Sequence, residues 1–261
     1  MISGSLLYLF DHQFLFLGKL QDNTEHKHHA VQLIVGLDGP ITLKFNNSVV
    51  SCHSVLIASD TRHQILGSQT TQLHLLIDNE SITAKKVGEK YFQKVNVKLF
   101  NESHVRQLLK RADSFDGPAM TCSDALFRIN ELLGTLVDLQ SDIKKKHDPR
   151  IQSALEKLQQ SSLENITAAD ISGQVCLSES RFIHLFSEEV GIPLRKYILW
   201  LRINRAIQDA MSGMSLTEAA YSAGFSDSAH LSRTFRNMFG LTLSEILKNS
   251  RFVQVFSCVS S

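Results

Sequence analysis

Two copies of one local pattern, 48 positions apart from Thr167 to Ser215, constrain this 261-residue chain more than any other feature. Ser215-Leu-Thr-Glu218 is a capping box: the serine caps a helix start and the acid reaches back to the cap. The helix that follows carries Ala219, Ala220 and Ala223, small enough for close helix–helix approach. Gly224 then suits a sharp turn with positive φ. Ser226 is the expected cap of a second helix, Leu231, Phe235, Met238 and Phe239 its buried stripe, and Gly240 its stop. Thr167-Ala-Ala-Asp170 is the earlier box and Ser178 the earlier cap. Phe182, Phe186 and Gly191 match Leu231, Phe235 and Gly240 after a one-residue insertion. Between the copies, "IPLRKYILWLRINRAIQDAMSG" is long enough for one connecting helix ending at Gly213. Helix–turn–helix pairs are common in ordinary cores; two with matched caps and stops are a repeat.

"AAYSAGFSDSAHLSRTFRNMFGLTLSEI" and "CLSESRFIHLFSEEVGIPLRKYILWLRINRA" give residues 150–249 a resemblance to the AraC/XylS-type bacterial transcription regulators. The resemblance implies two helix–turn–helix units on one long helix, presenting two reading helices to successive turns of the major groove. It places the base-reading positions on Ser180, Ile183 and His184, and on Ser228, Ala229, Ser232 and Arg233. Arginine suits guanine O6 and N7, and small side chains permit close approach. Arg181, Arg195, Lys196, Arg202, Arg205 and Arg236 are candidates for neutralising phosphates. Cys176 stands where the family usually has the turn glycine, and Ser172 where it has a small alanine. A cysteine at positive φ would be strained by about 1 kcal/mol or more. Glu179, Glu188 and Glu189 put negative charge on or near the first reading helix, so the second unit is expected to carry more of the specificity.

The first half has another texture. "LLYLF", "FLFLGK", "AVQLIVG", "ITLKF", "SVLIAS" and "LHLLID" are short β-rich runs, broken by "DGP" and "NNS". Six such runs point to a sandwich or small barrel. "EHKHHAVQLIVGLDGPITLKF" and "VLIASDTRHQI" resemble the cupin-type barrel that many of these regulators carry. His26 and His28 correspond to the H-x-H of metal cupins and His63 to the later histidine, but Gln32 stands where the carboxylate belongs. Three imidazoles could hold a divalent ion; without the carboxylate, the expectation is no metal and no cofactor. The alternative use of His28, Gln32, His63 and His74 is to line an effector pocket among apolar strand residues.

From residue 80 the period becomes helical. "ESHVRQLLKRAD" is amphipathic, and "SDALFRINELLGTLVDLQSDIKKK" is longer, with Ser123 as its expected cap. Leu126, Ile129, Leu133, Leu136, Gln140 and Ile143 alternate 3/4 along it, which reads as a dimer seam or as a face packed on the chain's own barrel; Leu132, Val137 and Leu139 widen the apolar surface beyond one stripe, enough for both. The expected organisation is α+β. Residues 1–79 form a cupin-like β-barrel sensor, 80–149 a helical dimerisation segment and linker, 150–249 an all-α double helix–turn–helix domain, and 250–261 a tail of unassigned role.

Net charge is +1, with 27 Lys+Arg against 26 Asp+Glu, so a nucleic-acid partner would have to be met by local basic faces. Cys52, Cys122, Cys176 and Cys258 show no C-x-x-C spacing and read as free thiols in a reducing compartment. No secretory signal or membrane span stands out, which places the expectation in the cytoplasm, with no membrane partner. Phosphate-loop, G-x-S-x-G, H-E-x-x-H and dinucleotide motifs are absent, and no catalytic residue is assigned. The reading is a homodimeric regulator that binds double-stranded DNA, responds to a small-molecule effector, and meets RNA polymerase if it activates. The rivals are a metal-dependent cupin enzyme fused to a helical domain, and an interaction module that no longer binds DNA.

Overall fold

The structure, a computed structural model, describes residues 5–10, 12–19, 25–66, 69–112, 115, 119–139, 148–161, 163–164, 166–239, 243 and 253–258. The first half opens with β1 (Ser5–Leu9), β2 (Gln13–Gly18), β3 (Ala30–Gly36), β4 (Ile41–Phe45), β5 (Ser48–Cys52), β6 (Ser54–Ile57), β7 (Gln64–Leu66) and β8 (Gln72–Asp78). Helix α1 (Ile82–Tyr91), β9 (Val97–Leu99), α2 (Glu102–Ala112) and α3 (Cys122–Gly134) follow. The second half holds α4 (Pro149–Gln160), α5 (Ala168–Gln174), α6 (Glu179–Val190), α7 (Leu194–Met211), α8 (Leu216–Ser222), α9 (Ser228–Phe239) and the tail strand β10 (Val253–Ser257).

A seven-stranded sheet runs β10-β1-β2-β8-β3-β6-β9, and a three-stranded sheet runs β5-β4-β7. Successive strand residues face opposite ways, and both faces of the large sheet are covered. Leu7, Leu9, Phe14, Phe16, Ala30 and Leu76 join the core of the second-half helices. Leu6, Tyr8, Leu15, Leu17, Val31, Leu33, Leu73 and Leu75 pack with residues of α1, α2 and α3. Each such apolar side chain contributes roughly 1.5–3 kcal/mol of burial; β2, β3 and β8 are buried along their whole length, with Gln32 and His74 the polar interruptions inside β3 and β8. The small sheet adds Ile41, Leu43 and Ile65 against Ile34, Val55 and Ile57. Asn46 and Asn47, at φ 47° and 61°, make its tight β4–β5 turn.

Several expectations change here. The strands do not close into a barrel: β10 occupies one edge of the large sheet and β9 the other. The tail is therefore a strand, pairing parallel to β1 from Ser5↔Val253 to Leu9↔Ser257. It brings Cys258 beside the start of α3, with a Cα–Cα distance of 5.3 Å, and a disulfide joins Cys122 to Cys258. The expectation of four free thiols holds only for Cys52 and Cys176. Helix α3 ends at Gly134, well short of the expected length, and its cap is Thr121, which accepts from the Asp124 amide, not Ser123. Ile129, Leu133 and Leu136 are buried in the chain's own core, and Leu126 packs against it. The exposed apolar side chain of α3 is instead Phe127, 66% accessible. Gln140 and Ile143 lie outside the described residues. The 3/4 spacing thus reflects packing on the sheet, where an amphipathic helix needs the same stripe as at a seam.

Candidate nucleic-acid interface and polar cluster

Four polar side chains meet on the face of the large sheet that looks toward the second half. Gln32 and His74 sit on β3 and β8, with Ile34 opposite His74 in register. His28 precedes β3, and His63 precedes β7 and bridges to His26 through reciprocal backbone hydrogen bonds of 2.9 Å. His28 Nε2 lies 3.1 Å from Gln32 Oε1, Gln32 Nε2 3.1 Å from His74 Nδ1, and His74 Nε2 2.8 Å from Gln72 Oε1. The His26, His28 and His63 rings lie 4.5–5.7 Å apart by centroid, and all three are buried. Burial holds these imidazoles neutral: it pushes His28 down to about 4, and His63 and His74 down to about 3. The structure brings together His28, Gln32, His63 and His74, the residues grouped from the sequence as a candidate effector pocket, and adds Gln72 at the end of the hydrogen-bonded row.

This cluster adjoins the helical half. The His29 amide donates to the Asn237 carbonyl of α9 at 2.9 Å. The His29 ring meets Asp60 Oδ2 at 2.9 Å, and the Asp60 amide donates to the His28 carbonyl at 2.8 Å. At the same end of the sheet, where Asp78 pairs with Ala30 in register, the indole N–H of Trp200, in α7, donates to the buried Asp78 carboxylate at 3.0 Å. Glu80 pairs with Arg195 at 3.0 Å and Lys196 at 3.3 Å, and the Ile82 amide donates to Gly191 O. None of the ties between the two halves was legible in the sequence, because their partners are more than 100 residues apart.

In the helical half both capping boxes form, at Thr167/Asp170 and Ser215/Glu218. Ser178 caps α6 by accepting from the Arg181 amide. Asp227, not Ser226, caps α9: its Oδ1 accepts from the His230 amide at 2.6 Å, and this bond holds its carboxyl below the usual range. Ser226 is therefore the inserted residue. Cys176 and Gly224 hold the same turn position, at φ 54° and 80°. The Ser172 hydroxyl, buried, donates to Ala169 O at 3.1 Å. Phe182 and Phe186, and Leu231, Phe235 and Met238, face inward. Gly240 and the Phe239 side chain lie outside the described residues.

What remains outward is mostly polar on α6, with Ile183 and two acidic residues among it, and basic on α9. Ser180, Arg181, Ile183 and His184 are exposed on α6; Ala229, Arg233 and Arg236 are exposed on α9. Ser228 and Ser232 are half-buried, and the Ser232 hydroxyl donates to Ser228 O at 2.8 Å. Glu189 turns aside to accept from the Asp148 amide, leaving Glu179 and Glu188 exposed on α6. Four phosphate candidates are otherwise engaged. Arg195 and Lys196 pair with Glu80, Arg202 donates to Leu163 O at 2.7 Å, and Arg205 donates to Ser161 O at 3.3 Å. The last two brace α7 against the segment after α4, an economical use of a long cationic side chain beside orphan helix-end carbonyls.

A family model described as a helix-turn-helix domain matches residues 171–249. ArgR, an HTH-type transcriptional regulator of Pseudomonas aeruginosa, is 30% identical over 110 residues, 42% of this chain and 33% of its own length. The arabinose operon regulatory protein of Escherichia coli is 27% identical over 116 residues, 44% of this chain and 40% of its own. Residues 171–249 are an AraC-type helix–turn–helix domain. LumQ, a probable transcriptional regulator of Photobacterium leiognathi, extends the similarity beyond the AraC-type domain: 24% identity over 235 residues, 85% of this chain and 91% of its own. Among the described residues no helix is long and apolar enough to cross a membrane.

Proposed function

We propose that the protein is a sequence-specific transcription regulator. α6 and α9 read double-stranded DNA, and the sheet-rich half responds to an effector bound at the His28, Gln32, His63 and His74 cluster. The observation that carries this is the pair of outward faces on matched, capped helices: Ser180, Ile183 and His184 on α6, and Ala229 and Arg233 on α9, all exposed. Ser228 and Ser232 keep α9 narrow enough for close approach to base edges. Arg181 and Arg236 flank the faces and supply phosphate contacts. The first half is read as a cupin-like sensor domain, its two sheets facing each other across the small apolar core of Ile34, Leu43 and Ile57. Effector control follows from linkage: a ligand preferring one arrangement of the two halves shifts the population of that arrangement by its differential affinity. Dimerisation, and contact with RNA polymerase in an activating role, belong to the same reading.

Selection of the full-length protein against a random duplex library at physiological salt tests it, since nonspecific phosphate binding is then weak. The reading predicts an enriched motif with two blocks about one helical turn, ~34 Å, apart. Folded protein that enriches nothing, with and without the metal considered below, would sink it.

A further inference from the structure

We propose that His26, His28 and His63 bind one divalent transition-metal ion of the Zn2+ class, and that its occupancy governs how α9 is held against the sheet. The second clause rests on the regulator reading above; the metal site itself does not. One ring nitrogen from each histidine lies within 4.8 Å of the others, and all three residues are buried. Around a tetrahedral ion with bonds of about 2.0–2.1 Å, such nitrogens sit about 3.3 Å apart. Closure therefore needs each to move inward by somewhat under ~1 Å, within reach of side-chain rotation.

The hydrogen bonds single out the lone pairs. His63 Nδ1 lies 2.9 Å from Thr61 O, which fixes its proton there. Its Nε2 is buried and makes no hydrogen bond among the described residues, in a side chain with 0% exposure. His28 Nδ1 lies 3.1 Å from Ala30 O while its Nε2 faces Gln32 Oε1. Both of those oxygens are acceptors, and a neutral imidazole has one N–H to give. If Nδ1–H goes to Ala30, the lone pair of Nε2 is directed at the Gln32 amide. A cation that takes Nε2 as a ligand satisfies that lone pair, as a Gln32 N–H would with the amide turned over, and Gln32 Oε1 is near enough to become the fourth ligand. A backbone carbonyl on Nδ1 with Nε2 directed inward, seen at both residues, is the outer-shell arrangement that orients metal-bound histidines. Imidazole donors in this number suit Zn2+, Cu2+, Ni2+ or Fe2+ rather than Mg2+ or Ca2+.

The link to the AraC-type domain is short. His29 follows His28 directly and donates to Asn237 O of α9, while Ser59 and Asp60 clamp the same loop. Drawing His26, His28 and His63 together fixes that loop and the α9 contact it carries.

The test uses full-length protein stripped by a chelator, then titrated with Zn2+ by calorimetry and with Co2+ by visible absorption. One ion per chain is expected, with the spectrum of four-coordinate Co2+. It should be lost in His28→Ala and His63→Ala and kept in the exposed control His53→Ala. Circular dichroism in chelator checks that each variant folds, and His63→Gln is the milder replacement if His63→Ala does not. Wild-type protein that takes up no ion, or folded His63 variants that keep it, would overturn the site. Amide exchange reads the coupling: Zn2+ should slow exchange at His29 at least tenfold, and an unchanged rate would overturn that clause. DNA selection without metal uptake would leave the regulator reading standing alone, and metal uptake without selection the reverse.

Discussion

At the turn between the two helices of each unit, Cys176 and Gly224 adopt the same left-handed conformation with different side chains. The left-handed region costs an L-residue roughly 1–2 kcal/mol, partly offset by the entropy a glycine loses on folding. Cys176→Gly should therefore stabilise the protein by up to about 1 kcal/mol. Gly224→Ala should destabilise it by at least about 1 kcal/mol, since the new Cβ would also meet Leu163 O at 3.1 Å. Urea midpoints of the two variants measure the contrast; equal shifts of one sign would contradict it. The buried imidazoles give a second residue-scale prediction. His28, His63 and His74 have folded values below the ordinary 6.5, so the unfolded chain takes up protons first as pH falls. Their contribution is intact above about pH 6.5 and is lost progressively toward pH 3–4. In chelator, stability should fall as pH drops through that window, and His74→Gln should flatten the slope.

At the scale of elements, the proposed reading helix α9 and the bracing helix α7 differ in where their cations go. Arg236 is exposed on α9, whereas Arg202 in α7 is tied to Leu163 O, and burial pushes its guanidinium downward. Arg236→Ala should weaken DNA binding alike for all sequences and lower the salt slope by about 1. Arg202→Ala should lower thermal stability with the salt slope unchanged. This division was only half visible in the sequence. Helical period and capping boxes located α5, α6, α8 and α9 because those signals are local. Whether a connector arginine faces solvent or a neighbouring carbonyl depends on Ser161 and Leu163, about 40 positions away. The Asp227 cap was missed for a smaller reason: Ser226 and Asp227 are both good caps, and only the amide geometry chooses.

For the whole molecule, the tail and α3 are joined through Cys122 and Cys258, 136 positions apart. Closing so long a loop restricts the unfolded chain, and removing the link typically costs about 2–5 kcal/mol. Cys122→Ser, or reduction, should lower the urea midpoint accordingly, and an unchanged midpoint would show that β10 needs no staple. The pairing was illegible in the sequence because it depends on a parallel β1–β10 register that no local period encodes. The same holds for the open sheet. The strand runs were legible, but the partners at each edge came from segments that follow the strand-rich region.

The central claim is that two helices read two separate blocks of DNA, and the most direct test is unit-specific. Selection would be repeated with Arg233→Ala and His184→Ala, on α9 and α6 respectively. Each variant should relax preference in one block only, by roughly 1–3 kcal/mol at the base it contacts. The loss should be larger for Arg233, whose helix carries no exposed acidic residue to match Glu179 and Glu188 on α6. If both variants weakened every sequence equally, or if Arg233→Ala kept full preference while His184→Ala lost it, the account would be wrong.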